Sequence, residues 1–270
     1  MKFTTMLVLI VVLLGVVASQ AQISANANAS KGALAPATAT CSYSFTVPGK
    51  LNSFMTYCVT VNGNITSFQS PSGFDYLAQG GAAEGYGICD NSTGRAYYDY
   101  AFTDTGNWGA PVPISHTTTV VKIARTTSDG LFTLTQTITR VAGPSPYAKV
   151  TMALKNNSGI TKTPYLVRWA DVDPAAAPFT DTSFSESVDA SQYSAWAYNE
   201  GGLGLMIEEL GQPTVPYGFV GLAGTSVLQN PCSPTNSGFQ ASVDAGVAML
   251  WALQLGPNKT GTVNAKYTQF

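Results

Sequence analysis

The chain has 270 residues, a formal net charge of −2 and only 10% charged side chains. So weak a charge excludes recognition of nucleic acid or of an anionic membrane surface through a basic patch. With 45% hydrophobic and 11% aromatic residues, it is too apolar for intrinsic disorder and long enough for a sizeable core.

The first segment opens Met1-Lys2, runs apolar from Met6 to Val17 and continues into Ser19-Gln20-Ala21. A basic start, an apolar stretch and small residues at −3 and −1 predict a signal peptide over residues 1–21 and hence a secreted protein, extracellular or periplasmic. The apolar run is shorter than the ~20 residues a membrane span needs. Residues 22–40 are small and nearly uncharged, with no apolar period, and read as a flexible Ala/Asn/Thr-rich leader. A single domain is expected over residues 41–270.

Within it, Ser42–Val47 alternates as a half-buried strand, Pro48-Gly49-Lys50-Leu51 turns, and a second strand follows through Phe54, Tyr57 and Val59. Asn62-Gly63 is a hairpin signal, because a type I′ turn needs positive φ at both central positions. Residues 41–69 therefore read as a three-stranded meander. Glu84–Cys89 and Arg95–Phe102 flank Asp90–Gly94 as another hairpin. Residues 103–115, rich in Gly and Pro, read as the longest irregular loop, and loops of that length often carry function. Thr118–Thr127 and Leu131–Val141 flank Ser128-Asp129-Gly130, with Thr133, Thr135, Thr137 and Thr139 on one face and Phe132, Leu134 and Ile138 on the other. Ala148–Lys155 is a further strand.

Pro164–Pro174 organises the rest. Tyr165, Val167 and Trp169 share one strand face; Leu166, Ala170 and Val172 share the other. A strand apolar on both faces needs cover on both, so it is placed centrally, with Asp171 and Asp173 at its end, where Pro174 is expected to stop the ladder. Ala175–Asp189 reads as a rim loop. Tyr193–Tyr198, Leu203–Glu208, Tyr217–Leu222, the doubly apolar Val247–Leu255 and Thr260–Thr268 complete about a dozen strands. With no convincing amphipathic helix, the fold class is all-β, an antiparallel two-sheet sandwich.

Four cysteines, Cys41, Cys58, Cys89 and Cys232, follow the signal segment. An even count in an exported chain predicts two disulfides in one of three pairings. Zinc is disfavoured: no two cysteines have knuckle spacing, and His116 is the only histidine. A two-residue loop at Gly49-Lys50 would pair positions adding to 99, place Cys41 opposite Cys58, and leave Cys89 to Cys232 across a longer loop. A four-residue type II turn at Pro48-Gly49 would shift that register and turn the first two cysteines apart.

Asp171, Asp173 and Asp181 are candidate Ca²⁺ ligands, because hard cations collect carboxylate oxygens at close range. Among the four tryptophans, Trp169 and Trp251 lie in apolar strands and read as core. Trp108, in the long loop, reads as exposed, and Trp196, beside Tyr193 and Tyr198, as intermediate. Exposed aromatics stack on sugar faces, so Trp108, Trp196 and Tyr193, with Arg168 as a polar partner, are the candidate ligand-binding residues. No catalytic set is identified. Gly-x-Ser-x-Gly is absent, and Glu208 and Glu209, adjacent on a strand, face opposite ways.

Gly63–Pro71, Glu84–Cys89 and Arg168–Asp173 resemble segments of uncharacterised exported bacterial β-sandwich proteins. The order of elements is similar to the supersandwich of galactose mutarotase-like domains. That resemblance implies a concave sheet face able to hold saccharide. It transfers no catalytic residue, since mutarotase-type chemistry uses histidines with a glutamate. The expectation is a secreted, non-catalytic β-sandwich that binds a saccharide or matrix polymer, or self-associates as a surface or structural subunit. The alternative is a Ca²⁺-assisted carbohydrate-active enzyme of lyase or epimerase type.

Overall fold

Alternating segments joined by tight turns become two nine-stranded antiparallel sheets in the computed structural model. The structure describes residues 40–50, 53–77, 82–101, 106–176, 186–191, 193–211, 216–222, 230–233 and 239–270. The stretch read as a signal peptide, that read as a leader up to residue 39, and Asp181 lie outside them.

Strands are numbered in chain order. The first sheet holds β1 (Tyr43–Val47), β2 (Met55–Val59), β3 (Ile65–Gln69), β4 (Phe74–Leu77), β5 (Ala82–Asp90), β6 (Arg95–Ala101), β11 (Tyr165–Ala176), β15 (Pro216–Leu222) and β17 (Ala245–Ala252). The second holds β7 (Val112–His116), β8 (Val120–Thr126), β9 (Phe132–Val141), β10 (Tyr147–Asn156), β12 (Glu186–Ala190), β13 (Ser194–Tyr198), β14 (Gly204–Glu209), β16 (Gln240–Val243) and β18 (Thr260–Gln269). The described residues thus give eighteen strands. The short β4, β7, β12 and β16 are the additions to the elements expected from alternation; β7 occupies the end of the stretch read as irregular. No helix among the described residues is long and apolar enough to cross a membrane.

The two sheets pack face to face over a common core. Phe45, Ile88 and Trp251 point inward from the first sheet; Ile138, Met152 and Tyr267 point inward from the second. On β9 the apolar set Phe132, Leu134 and Ile138 is buried, while the threonines between them are partly exposed on the outer side. Burial of each large apolar side chain contributes about 1.5–3 kcal/mol, so this period-two pattern determines which face turns inward.

β11 is the spine of the first sheet. One edge pairs with β17 over Tyr165–Asp171; the other pairs first with β5, over Tyr165–Ala170, and then with β4. Pro174 does not stop the strand. A register shift between Val172 and Ala175 absorbs it, and pairing with β4 resumes at Ala175 and Ala176, because a bulge tolerates a missing N–H.

The outer face of β11 carries a second, smaller core of Tyr100, Val167, Trp169, Ala248 and Leu250. Pro231 is buried beside it, and a Cβ on Gly87 would lie 2.9 Å from the Tyr100 hydroxyl and 3.1 Å from Pro231. Glycine at position 87 therefore lets the Pro231 segment approach the sheet, where the Cys89–Cys232 disulfide holds it. The other disulfide joins Cys41 and Cys58. Two disulfides suit a non-reducing, extracellular-type environment.

The cysteine pairing is as expected, but the register behind it is not. β1 and β2 pair positions adding to 102, with Ser44 opposite Cys58. The connection is not a two-residue loop: the ladder ends at Val47 and Met55, and the Ser53 hydroxyl both donates to Lys50 O and accepts from Lys50 N–H. Cys41 lies upstream of β1. The Ser42 N–H donates to Val59 O, drawing the chain back over β2 until the Cys41 and Cys58 Cα atoms are 5.4 Å apart.

Candidate functional site: an outer aromatic row and an acidic corner

Three groups of polar residues stand out: a network between the sheets, an acidic cluster at the end of β11, and the outer face of the second sheet. Arg168 breaks the inward face of β11 and is wholly buried. Its guanidinium meets the Glu84 carboxylate through Nε and Nη2, donates to Gln136 Oε1 through Nη1, and reaches Gly63 O at 3.2 Å. Glu84 also accepts from the Ile65 N–H at 2.6 Å and from the Tyr267 hydroxyl. Burial pushes the Glu84 carboxyl up, against the pull of Arg168 and these donors. Four donors converge on two oxygens, so both oxygens act as acceptors and the group is the carboxylate.

A second buried pair, Arg125 with Asp99, lies beside it. Asn62 joins the two: its side chain donates to Asp99 at 2.7 Å, and its carbonyl accepts from Gln136 and Tyr86. These residues cross-link strands from both sheets and offer no surface to a ligand. Arg168 is therefore corrected from a ligand-binding residue to an internal tie. Trp108 is corrected too. It pairs with Thr127 in an isolated bridge, stacks edge-on to Tyr86 with centroids 5.2 Å apart, and lies under the Arg125 guanidinium; only 7% of its surface is exposed. Gly and Pro made its segment read as a surface loop, but the indole turns in.

The acidic corner combines two expected residues with one unforeseen. Asp171 and Asp173 sit on the outer face of β11, and one carboxylate oxygen from each meets one from Asp244, all within 4.8 Å of one another. The Asp171 carboxyl is pushed up to about 9, first by burial and then by Asp173 and Asp244. Asp244 is the unforeseen member of the cluster; Asp181, the third ligand expected, lies outside the described residues.

The outer face of the second sheet is a partly exposed polar surface across β9, β10 and β18. Registers align one row across it: Asp189 opposite Trp196, Trp196 opposite Met206, Met206 opposite Thr268. The same register of β18 and β10, continued by one residue, sets Thr268 opposite Tyr147, which faces Val141 on β9. Trp196, Met206 and Tyr147 are partly exposed. Trp196 and Tyr147 stand three strands apart, ~14 Å at the usual ~4.8 Å spacing. Beside the row, Lys266 pairs with Glu208 and lies over the Tyr147 ring at 5.1 Å. Thr151 donates to Asn264 at 2.7 Å. Tyr193 precedes β13 and is 42% exposed. Trp196 and Tyr193, both singled out in the sequence, are thus at the surface. Tyr147 was missed, because only the ladder shows that it shares a row with Trp196.

Glu208 and Glu209 do face opposite ways: Glu208 meets Lys266 outside, while Glu209 accepts from the Trp251 indole N–H between the sheets. Burial pushes the Glu209 carboxyl up to about 7. A folded pKa above the unfolded value means the folded state holds the proton longer. The associated stability is present below about pH 4.5 and is lost as pH rises to about 7. The full shift corresponds to about 3 kcal/mol, and screening of this half-buried group brings it to about 1–2 kcal/mol. Glu209→Gln keeps an acceptor and removes the titration, so urea denaturation between pH 4.5 and 7.5 should show a smaller fall in stability for the variant. An identical pH profile would reject the assignment.

No family model matches the chain, and no curated protein matches it. Solved structures do. The Escherichia coli K12 protein named "Putative aldose 1-epimerase" aligns with a TM-score of 0.53 at 11% identity, over 84% of this chain and 99% of that one. A bacterial glucoamylase complexed with acarbose aligns with a TM-score of 0.57 at 10% identity, over 86% of this chain; the chain spans 33% of the glucoamylase. At such identity the likeness is one of fold: the sandwich is of the galactose mutarotase-like type.

Proposed function

We propose that the protein is a secreted, non-catalytic β-sandwich that binds a saccharide or extracellular polymer on the outer face of its second sheet. The observation that carries this reading is the row Trp196–Met206–Thr268–Tyr147. It sets two partly exposed aromatic rings on one sheet face, with Lys266, Glu208, Asn264 and Thr151 as neighbouring polar groups. A pyranose offers an apolar face to an aromatic ring and hydroxyls to the groups around it, so rings spaced along a row suit a short stretch of chain. The resemblance in fold to an epimerase-type protein and to a glucoamylase fits a sugar ligand, although fold alone does not assign one. Glu208 and Glu209, the adjacent acids weighed for catalysis, are divided between opposite faces of β14, and the buried Glu84 is held in an ion pair with Arg168.

The test is affinity electrophoresis and glycan-array binding of the wild-type protein and of Trp196→Ala. Removing one stacking ring should weaken binding by roughly tenfold, on the order of 1 kcal/mol, while the urea midpoint changes little because Trp196 is outside the core. Tyr147→Ala should weaken it further. Saccharide binding that is unchanged in both variants would place the ligand elsewhere.

A further inference from the structure

Asp244 is the single residue between β16 and β17, and those strands belong to different sheets. It stands where the chain crosses from the second sheet to the first. The β11–β17 ladder sets Asp171 opposite Gly246. Two residues further in the same register, Asp173 comes opposite Asp244. Three acids therefore share one face as near neighbours, an arrangement that is unfavourable for like charges directly across a ladder. Their carboxylate oxygens nevertheless converge to within 4.8 Å.

Asp171 supplies a second, independent observation. Only 9% of its surface is exposed, and its buried Oδ1 has no hydrogen-bond partner. A buried carboxyl oxygen with no hydrogen-bond partner is costly, and a bound cation would supply one. We propose that Asp171, Asp173 and Asp244 form a Ca²⁺ site that pins the crossover between β16 and β17 to the end of β11.

The donor set selects the ion. All three ligands are carboxylates, which suit a hard cation. Used singly or in bidentate fashion they supply three to six oxygens, and water completes the flexible shell of six to eight that Ca²⁺ accepts. Zinc and copper draw on His and Cys. All four cysteines are in disulfides, and His116 lies 4.9 Å from the Tyr43 ring, on β7. Cation binding would stabilise the corner in two ways: it neutralises the clustered charge, and it ties β16, which pairs with β12 at the edge of the second sheet, to the spine of the first. The site is on the outer face of the first sheet. It stands or falls apart from the saccharide surface, which is the outer face of the second.

The test uses the full mature chain, stripped with EDTA, with Ca²⁺ and Tb³⁺ as probes. Trp169 lies two residues before Asp171 on the same strand face, roughly 7 Å away along the strand, close enough to sensitise Tb³⁺ emission. Affinities of extracellular sites of this kind are about 0.1–1 mM, so ~5 mM Ca²⁺ should raise Tm by about 3 °C or more. Tb³⁺ should luminesce on excitation of tryptophan and be displaced by Ca²⁺. Asp171→Asn and Asp173→Asn are near-isosteric, and each should abolish both responses with circular dichroism unchanged. Asp244→Asn does the same from the other strand. Absence of both responses in the stripped wild-type protein would overturn the proposal, as would responses that persist undiminished in the three variants.

Discussion

Arg168→Ala should cost about 3–5 kcal/mol, a large part of the ~5–15 kcal/mol that holds a domain folded. The side chain it removes donates to Glu84, Gln136 Oε1 and Gly63 O. Truncation leaves a wholly buried carboxylate with only the Ile65 N–H and the Tyr267 hydroxyl, and strips Gln136 Oε1 of that donor. The cost is the penalty of an uncompensated buried charge, not the net worth of the pair, which desolvation largely offsets. Arg168→Lys should recover little. An ammonium cannot reproduce the planar fork that reaches both Glu84 and Gln136 at once. Glu84→Gln should destabilise comparably, because it leaves Arg168 charged and underpaired. Arg168→Met combined with Glu84→Gln should cost less than the two single changes added, since each single change incurs the charge penalty that the double change removes. Urea denaturation of the wild type and of these variants, with Arg168→Met alone to close the cycle, measures this directly. A loss below about 1 kcal/mol for Arg168→Ala, or strict additivity in the double variant, would show that the pair is not the internal tie described.

Much of the scaffold is legible in the sequence because β-structure writes its orientation into alternate residues. The threonines of β9 and the apolar residues between them separate the two faces, and Asn62-Gly63 marks a turn but not the type I′ turn read from it: Gly63 has φ of +90° while Asn62 is not left-handed, and the Thr60 N–H donating to Asn64 O closes a wider loop. The central placement of β11 follows from its being apolar on both sides. The failures are of another kind. Trp108 was read outward from a Gly/Pro-rich setting, but its partners lie elsewhere in the chain: Tyr86 on β5, Arg125 on β8 and Thr127 just past it. Arg168 looked like a polar interruption able to meet a ligand. What absorbs it is Glu84, from a strand 84 residues away, together with Gln136.

The site was partly visible for a similar reason. Asp171 and Asp173 fall on one face by simple counting, whereas Asp244 joins them only through the ladder that sets Asp171 opposite Gly246. The one local signal was a lone acid just before the doubly apolar run that becomes β17. Tyr147 likewise enters the surface row only when β10 is laid beside β18. Local turn chemistry also misled in one place. Gly49-Lys50 suggested a two-residue hairpin, but Ser53 closes a wider loop, and the ladder positions add to 102. The cysteine pairing survives that error because Cys41 reaches its partner from outside the ladder.

Replacing Cys89 and Cys232 together with alanine should destabilise the protein more than replacing Cys41 and Cys58. The two bridges span 143 and 17 residues of sequence. In the chain-entropy treatment, loops of those lengths correspond to about 5 and about 3 kcal/mol of denatured-state restriction, and measured losses commonly fall below such values. Native packing should widen the gap. The long bridge holds the segment containing Pro231, which is buried over Gly87 and near the Tyr100 hydroxyl. Tyr100 packs against Trp169 with ring centroids 5.1 Å apart, in the small core on the outer face of the first sheet. Freeing that segment should let water reach Val167, Trp169 and Leu250, which are now buried. The short bridge ties only the start of β1 to β2, where the ladder from Tyr43 to Val47 already fixes the pair. Urea midpoints of the two double variants give the ranking. Near-UV circular dichroism and dye binding report separately on the outer core, and only the Cys89/Cys232 variant should lose tryptophan signal and bind dye before global unfolding. Equal midpoints, or a larger loss on removing Cys41 and Cys58, would show that the long bridge does not hold the outer core in place.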